Sequence, residues 1–344
     1  MRISIYMEIL CLEYAVKVLL NINGKRDIKE LQKISGAKSL KTTYNILNNL
    51  SELHLIEFKR SMKKPNLSPL GNVIKIKLSE LEQLMETKEY VGLFSSYIKL
   101  RAILFMNGVG MYASDIHDEI YSESRGTTNH ILVELEDDKI IEPDFMSRKL
   151  SKKGIMLKEK IVELLKTLLV IKRHKEYLNE HQINIPDDYL PLLHTLHNAE
   201  IIKDSFYDNM IVFNTVRRMA LTGNYLCCVV SGYAENYICV VGEAIKKGIV
   251  CRVIISKNVK ENIEKNKEIF EMINAMKKNK NSKLMLSKNV DKFTMLLTDK
   301  EIALFLFKRN GNVEWYEYLH CKDECCVHFG NEIFKFYEKE AIEI

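Results

Sequence analysis

The chain has 344 residues, of which 47% are hydrophobic and 28% charged, and its formal net charge is +5. This length predicts two or three domains, and the composition, with only 5 Pro and 14 Gly, excludes a disordered or low-complexity protein. No apolar run reaches the ~18 residues that a membrane-spanning helix needs, and the N-terminus lacks a signal-peptide layout. We therefore expect a cytoplasmic protein with no membrane partner and with reduced cysteines.

The chain carries one small sequence unit twice. The segment from Ser39 to Leu50 returns, about 85 residues later, from Ser124 to Leu135. Each copy then reaches a matching Leu-Ser-x-x-Gly, at Leu67 to Gly71 and at Leu150 to Gly154. A shared period of this length indicates two copies of one small domain rather than a solenoid.

The first copy has the pattern of three helices followed by two short strands. Its first helix is marked by apolar residues at helical spacing, namely Ile9, Leu12, Val16 and Leu19. Asp27 and Ser39 are typical caps for the second and third helices. A basic hairpin, from Lys59 to Lys64, separates the two strands. This order predicts a winged helix-turn-helix, whose third helix enters the major groove of double-stranded DNA.

The polar residues of the third helix and the cations of the wing are the candidate DNA contacts. Thr, Asn and Lys side chains can hydrogen-bond to base edges, whereas wing cations hold phosphates. The predicted base contacts are Lys41, Thr42, Thr43, Tyr44, Asn45 and Asn48, and the predicted phosphate contacts are Arg60, Lys63 and Lys64.

Charge separates the two copies. Residues 1–79 hold 14 Lys and Arg against 6 Asp and Glu, a balance of +8, whereas residues 80–173 hold 14 against 16. Because cations that replace condensed counterions supply most non-specific DNA affinity, the first copy is predicted to be the DNA reader. The second copy follows its third helix with an acidic run and is predicted to be a spacer or dimerisation module, although weak DNA contact stays open.

The rest of the chain changes pattern. A long apolar stripe from Leu157 to about His181 predicts one helix, which Ile185-Pro186 ends. Strands then alternate with helices, including a predicted helix from Val259 to Lys277, before two strands joined at Asp299 to Glu301. This alternation predicts an α/β sheet. The fold class is therefore tandem winged helix-turn-helix domains (1–85 and 86–173) followed by an α/β domain (174–344).

Four segments of the last domain resemble a known family. They are His181-x-x-x-Ile185-Pro186, the run from Ala244 to Ile255, the run from Leu296 to Phe307, and the run from Phe329 to Tyr337. Together they resemble the archaeal methanogenesis-regulatory, or filament-regulator, family of transcriptional regulators, over roughly residues 174–341. The resemblance implies a winged helix joined to a phospholipase-D-like effector domain. The tandem pair departs from the single winged helix of the usual member.

An enzyme is the alternative, because winged helices could deliver a nuclease or transferase to nucleic acid. Phospholipase-D-type catalysis requires H-x-K-x4-D, and this motif does not occur in the sequence. Phosphate-binding glycine motifs, serine elbows and zincin motifs do not occur either. We therefore expect no catalytic residues and no cofactor.

The α/β domain is predicted to bind a small anionic effector. In open α/β sheets, ligands lie beyond the carboxyl ends of the strands. The predicted ligand contacts at those ends are Ser231, Tyr233, Ser256, Lys257, Asn258 and Lys288. Two lysines at one rim would raise the local concentration of anions. The alternative, that small polar residues simply terminate strands, stays open.

The leading interpretation is a DNA-binding transcriptional regulator that acts as a homodimer, since palindromic operators are read by twofold-symmetric proteins.

A group formed by Cys321, Cys325, Cys326 and His328 lacks a standard zinc spacing, so no metal site is predicted, although metal binding by this group stays open. The operator, the effector and the sign of regulation are not encoded in any recognisable pattern.

Overall fold

The computed structural model describes residues 13–85, 93–94, 96–120, 124–267, 269–271 and 282–344. Its chain forms two compact units, residues 1–172 and 173–344. The first unit contains both copies of the repeat, and the further division at residue 85 stays a prediction. Within the described residues, no helix is both long and apolar enough to cross a membrane.

The first copy has the three helices and two short strands that the sequence predicts, followed by a closing helix that was not predicted. These elements are α1 (Glu13–Asn21), α2 (Ile28–Ser35), α3 (Leu40–Glu52), β1 (Ile56–Glu57), β2 (Asn66–Leu67) and α4 (Pro69–Leu84). Strands β1 and β2 pair antiparallel, with Ile56 opposite Leu67. Asp27 caps α2 in a capping box with Glu30. Each of the two side chains accepts a hydrogen bond from the backbone N–H of the other residue. Ile9 and Leu12, predicted in the first helix, lie outside the described residues.

The second copy repeats this order. Its elements are α5 (Tyr97–Phe105), α6 (Ala113–Ile120), α7 (Arg125–Asp137), β3 (Ile141–Asp144), β4 (Ser147–Leu150) and α8 (Lys152–Arg173). Ser124 caps α7 by accepting from the backbone N–H of Thr127 at 3.1 Å, as Ser39 caps α3 by accepting from Thr42 at 3.1 Å. The repeat in sequence is therefore a repeat in structure, down to the cap of the third helix.

The second unit is an α/β domain around one mixed sheet. Its helices are α9 (Lys175–Glu180), a 3-10 helix (Asp187–Leu196), α10 (Ile211–Thr222), α11 (Glu235–Lys246), α12 (Lys257–Lys265) and α13 (Glu324–Glu338). Its strands are β5 (His181–Gln182), β6 (Glu200–Lys203), β7 (Tyr225–Val230), β8 (Val250–Ile255), β9 (Lys283–Leu286), β10 (Phe293–Leu297), β11 (Ile302–Lys308), β12 (Glu317–Cys321) and β13 (Ile342–Glu343).

The sheet has the order β13-β9-β8-β7-β10-β11-β12-β6, and β5 pairs with β11. Strands β7, β8 and β9 are parallel neighbours, whereas the pairs from β10 to β6 are antiparallel. Every residue of β10 is buried, and four of the five are apolar. The parallel strands place the carboxyl ends of β7, β8 and β9 at one edge of the sheet.

Several predicted elements have different bounds. The predicted long helix breaks at His174, which leaves the helical conformation at φ −106° and ψ 24°, so that α8 and α9 are separate helices. Strand β12 is not among the predicted elements, because the nearby cysteines and histidines suggested a possible metal group. In the structure every residue of this strand is buried. The helix predicted from Val259 to Lys277 is described only as α12 and residues 269–271, and the remainder lies outside the described residues.

The expectation that all cysteines are reduced is wrong for one pair. Cys321 and Cys326 form a disulfide, with their Cα atoms 6.2 Å apart. The fold brings them together because β12 ends at Cys321 and α13 starts three residues later, at Glu324. Cys227, Cys228, Cys239, Cys251 and Cys325 are free thiols.

Candidate nucleic-acid interface and ligand pocket

Helix α3 is held in place by its inner face. Ile46, Leu47 and Leu50 are buried, and burial of a side chain of this size stabilises the fold by about 1.5–3 kcal/mol. Because the buried residues occupy one side of the helix, the polar residues between them lie on the opposite side. The sequence thus orients a polar helix face by the spacing of its apolar residues alone.

The outer face of α3 contains most of the predicted base contacts. Lys41 and Asn45 are exposed, and Thr42, Tyr44 and Asn48 are half-buried. The prediction for Thr43 is wrong, because its side chain is fully buried and its hydroxyl donates to the backbone oxygen of Ser39 at 3.3 Å. Asn49, which the predicted set omits, is exposed on the same face. Its spacing of four residues from Asn45 is the signal that would have included it.

The first wing carries cations that have no acidic partner among the described residues. Arg60, Lys63 and Lys64 are exposed, and none of them makes an ion pair with any described residue. Phe58 connects the wing to α3, since its ring lies 6.1 Å from the ring of Tyr44. Uncompensated cations beside a polar helix face form the kind of surface that binds a phosphate backbone.

The matching helix face of the second copy has different chemistry. At the positions of Lys41, Asn45 and Asn49 it carries Gly126, His130 and Glu134. Glu134 pairs with Lys99 at 2.9 Å and lies 3.5 Å from the ring of His130. This face therefore offers a carboxylate where the first copy offers an amide, and a carboxylate repels phosphate.

The wing of the second copy is neutralised by its own carboxylates. Arg148 pairs with Glu136 at 2.6 Å, and Lys149 lies 3.7 Å from carboxylate oxygens of both Glu142 and Asp144. The turn between the two strands exposes Phe145 and Met146, at 104% and 88%. The two wings thus differ in kind, with free cations in the first and paired cations behind an apolar tip in the second.

The three predicted rim segments of the α/β domain do lie side by side. The backbone N–H of Ser256 donates to Val230 at 3.0 Å, and that of Ser287 donates to Ile255 at 3.0 Å. These bonds join the segments that follow β7, β8 and β9. The carboxyl ends of three parallel strands therefore meet, as the sequence predicts.

The side chains of this rim serve mainly as structural links. Ser231 is buried and its hydroxyl donates to the backbone oxygen of Phe293 at 2.9 Å, while Ser256 is buried and caps α12. Lys257 extends into solvent, with 81% of its side chain exposed, and lies 3.7 Å from Glu261. Asn258 and Lys288 are also exposed, and Tyr233 is half-buried. These positions support the strand-termination alternative more than an anion site.

A cavity opens beside this rim, and none of the six predicted ligand contacts lines it. Its empty space is about 580 Å³, part of which is open to solvent. The described residues around it come from four strands, two helices and two connecting segments: Cys228, Val230, Gly232, Ala234, Tyr237, Ile238, Val241, Val253, Ile255, Val259, Ile263, Leu284, Thr294, Leu296 and Trp315. Sequence reasoning missed this lining because its residues are hydrophobic and look like ordinary core.

A separate charged network in the α/β domain joins the buried residues Glu301 and His320 to the exposed residue Arg218. Both carboxylate oxygens of Glu301 accept hydrogen bonds from the Arg218 guanidinium at 2.9 Å, and one lies 2.8 Å from Nε2 of His320. Burial raises the pKa of Glu301, but the hydrogen bonds from Arg218 and His320 outweigh it and hold that pKa below its usual range. Burial also lowers the pKa of His320, against the opposing effect of Glu301. The network links α10 to the turn before β11 and to β12.

Two groups of described residues bring potential metal ligands together. One consists of His197, Asp323 and Cys325, whose ligand atoms lie within 4.8 Å of one another. The other contains Asp323 with Cys321 and Cys326, whose sulfurs are joined in the disulfide. His328, which the sequence places near these cysteines, belongs to neither group.

Comparison with known proteins supports the resemblance found in the sequence. Residues 212–340 match the family model of the methanogenesis regulatory protein FilR1, middle domain, which confirms the resemblance over this stretch. No curated protein matches the sequence.

Two solved structures are similar in part. The structure of TrmBL2, an archaeal chromatin protein, is 17% identical, with a TM-score of 0.35 over 78% of this chain and 99% of that one. Nuc, a phospholipase D family member from Salmonella typhimurium, is 10% identical, with a TM-score of 0.33 over 42% of this chain and 98% of that one.

Proposed function

We propose that this protein is a sequence-specific, DNA-binding transcriptional regulator. In this proposal residues 1–85 form the DNA reader, residues 86–173 form a spacer or dimerisation module, and residues 174–344 form an effector-sensing domain. The observation that carries the proposal is the difference between two copies of one fold. The first copy presents a polar third helix and a wing with unpaired cations, whereas the second pairs its wing cations internally.

In the first copy, the recognition face consists of Lys41, Thr42, Tyr44, Asn45, Asn48 and Asn49. Amide side chains can bond to two positions of an adenine edge, and lysine can donate to guanine. The wing residues Arg60, Lys63 and Lys64 hold the adjacent phosphates and so set the orientation of α3 in the major groove. Thr43 has no part in recognition and instead stabilises the first turn of α3.

The second copy supports dimerisation better than DNA contact. Its wing tip exposes Phe145 and Met146, and large apolar side chains of this kind are enriched at protein interfaces. A homodimer would place two first copies on the two halves of a palindromic operator. Light scattering of the full chain, with and without Phe145→Ser and Met146→Ser, tests this part of the proposal separately from DNA binding.

Selection from a random duplex library tests the main proposal. The full-length protein is expected to enrich one motif, and the same protein should protect that motif in a footprint. Incubation of the selected duplex with the protein and divalent cations tests the nuclease alternative in the same experiment. Enrichment of no motif would contradict sequence-specific reading, and cleavage of the duplex would favour the enzyme.

A further inference from the structure

The cavity of the α/β domain lies beside the carboxyl ends of β7 and β8, where open α/β sheets bind their ligands. Its floor is formed by residues of the sheet, among them Val230, Val253 and Leu296, and one wall by Tyr237, Ile238 and Val241 of α11. About 50 Å³ of this space can hold the centre of a water-sized sphere, which is several times the roughly 10–15 Å³ that a single water molecule needs.

The lining offers almost nothing to a charged molecule. None of the described residues around the cavity has an ionised side chain, and most are aliphatic. Two of the polar groups are already used, since the Tyr237 hydroxyl donates to the backbone oxygen of Trp315 at 3.4 Å and the Thr294 hydroxyl accepts from the N–H of Ser231 at 3.3 Å. Burial raises the pKa of the Cys228 thiol well above its usual range, so this group is neutral as well.

One side of the cavity is a preformed aromatic wall. The rings of Tyr237 and Trp315 stack with centroids 5.0 Å apart, and Phe305 lies 5.4 Å from Trp315. Gly232 allows this packing, because a β-carbon there would lie 2.4 Å from Val313 and 3.0 Å from Trp315. A wall held by several ring contacts changes little when a ligand enters, which lowers the entropic cost of binding.

We propose that this cavity binds an uncharged, mainly hydrocarbon or aromatic molecule, and that this molecule is the effector of the α/β domain. The inference rests on the effector-sensing part of the proposed function and replaces the anionic effector that the sequence predicts. A charged metabolite would lose its hydration on entry and find no counter-charge among the described lining residues, which is unfavourable. An apolar molecule gains by leaving water and by filling space that the side chains leave empty.

Trp315 allows a direct test, since it is the sole tryptophan of the chain and it lines the cavity. The full-length protein is titrated with toluene, and in parallel with inorganic phosphate and with citrate, while tryptophan emission and thermal unfolding are followed. Toluene is expected to change the emission saturably and to raise the unfolding temperature by about 2–4 °C. Phosphate and citrate are expected to leave the emission unchanged.

Two variants of α11 locate the effect. Val241→Phe adds four carbons inside the cavity and should weaken the toluene response by about ten-fold or more. Asn236→Phe places the same side chain on an exposed position of the same helix and should leave the response intact. Circular dichroism and binding of the selected DNA are measured on both variants, so that a folding defect is recognised.

The possible results separate the two proposals. An emission change with phosphate or citrate but none with toluene overturns the inference, and so does a wild-type protein that responds to none of the three. If the protein still binds its selected DNA in either case, the ligand inference alone fails. If the protein binds toluene but selects no DNA motif, the ligand inference is supported and the proposed DNA-binding function is contradicted.

Discussion

A β-carbon placed on Gly71 would lie 1.8 Å from the backbone oxygen of Leu55. The same relationship recurs in the second copy, where a β-carbon on Gly154 would lie 2.0 Å from the backbone oxygen of Ile140. In both copies the closing helix starts against the backbone that precedes the wing. The last position of the repeated Leu-Ser-x-x-Gly therefore requires glycine, because a β-carbon there would clash with the backbone that precedes the wing.

Replacing either glycine by alanine should destabilise the first unit. Gly71→Ala and Gly154→Ala force the closing helix away from Leu55 or Ile140, and we expect each to lower the free energy of unfolding by about 1–3 kcal/mol. Gly126→Ala is the matched control, because the nearest atom to its β-carbon is 3.5 Å away and the position is helical. It should be neutral or stabilise by about 0.5–1 kcal/mol. Urea unfolding of the three variants decides between these effects.

The first wing should dominate the salt dependence of DNA binding. Lys63→Ala with Lys64→Ala is expected to weaken binding to all sequences alike and to reduce the salt slope by about one per lysine. Arg148→Ala with Lys149→Ala in the second copy is the matched control and should have little effect, because both side chains already pair with carboxylates. Gel shifts at several salt concentrations measure both slopes, and equal losses for the two pairs would show that the copies contact DNA alike.

The recognition helix should determine sequence preference. Asn45→Ala or Asn48→Ala is expected to cost roughly 1–3 kcal/mol at one base position and little elsewhere. Thr43→Ser is the control, because it keeps the hydroxyl that donates to Ser39 and is buried away from the exposed face. Binding to duplexes with each base pair of the selected motif changed in turn gives the measurement. A uniform loss across all positions would assign Asn45 or Asn48 to the backbone instead.

A buried lysine connects the two closing helices. Lys77 of α4 is 3% exposed and pairs with Glu163 of α8, while Lys160 of α8 lies 3.1 Å from Glu80 and 3.3 Å from Glu163. Burial lowers the pKa of Lys160, but the two carboxylates outweigh burial and raise it.

The two partners of this pair should respond unequally to substitution. Glu163→Leu leaves Lys77 buried, with Glu80 at 3.7 Å as its one remaining acidic partner among the described residues, and should cost about 2–4 kcal/mol. Lys77→Met should change the free energy of unfolding by less than about 1 kcal/mol, because Lys160 still compensates both carboxylates. Urea unfolding at neutral pH gives both values, and a larger loss for Lys77→Met would reverse this assignment.

Acid should destabilise the α/β domain through Glu301 and His320. The folded-state pKa of Glu301 lies below the ordinary 4.5, so its stabilisation is present above 4.5 and is lost as pH falls through the lower value. The folded-state pKa of His320 lies below 6.5, so the unfolded chain binds this proton first and stability also falls on acidification below 6.5. The two effects have the same sign.

Glu301→Gln should therefore lower stability at neutral pH by about 1.5–3 kcal/mol and flatten its fall below pH 4.5, because the charge that Arg218 and His320 bind is gone. Glu176→Gln, at an exposed position of α9, should keep the parent's pH profile. Chemical unfolding between pH 7 and pH 4 follows both. An unchanged profile for Glu301→Gln would mean that other groups govern the acid response.

The sequence by itself determined what depends on neighbours three or four residues apart. The caps at Asp27 and Ser39, the apolar stripes of the helices and the excess of cations in residues 1–79 could all be predicted, because each depends on near neighbours or on a simple sum of charges. The alternation of strands and helices predicted the α/β sheet, because it too is visible along the chain. It also predicted that the segments after β7, β8 and β9 would meet, since parallel strands share an edge.

Only the tertiary structure decided which side chains are available to bind a partner and which are already buried or paired within the protein. Thr43 is polar in the sequence but buried in the fold, and Arg148 is basic but paired with Glu136. The cavity draws on residues from Cys228 to Trp315, and no periodic pattern distinguishes its hydrophobic lining from a filled core. Burial, ion pairing and empty space depend on contacts between residues far apart in the chain, which local spacing does not fix.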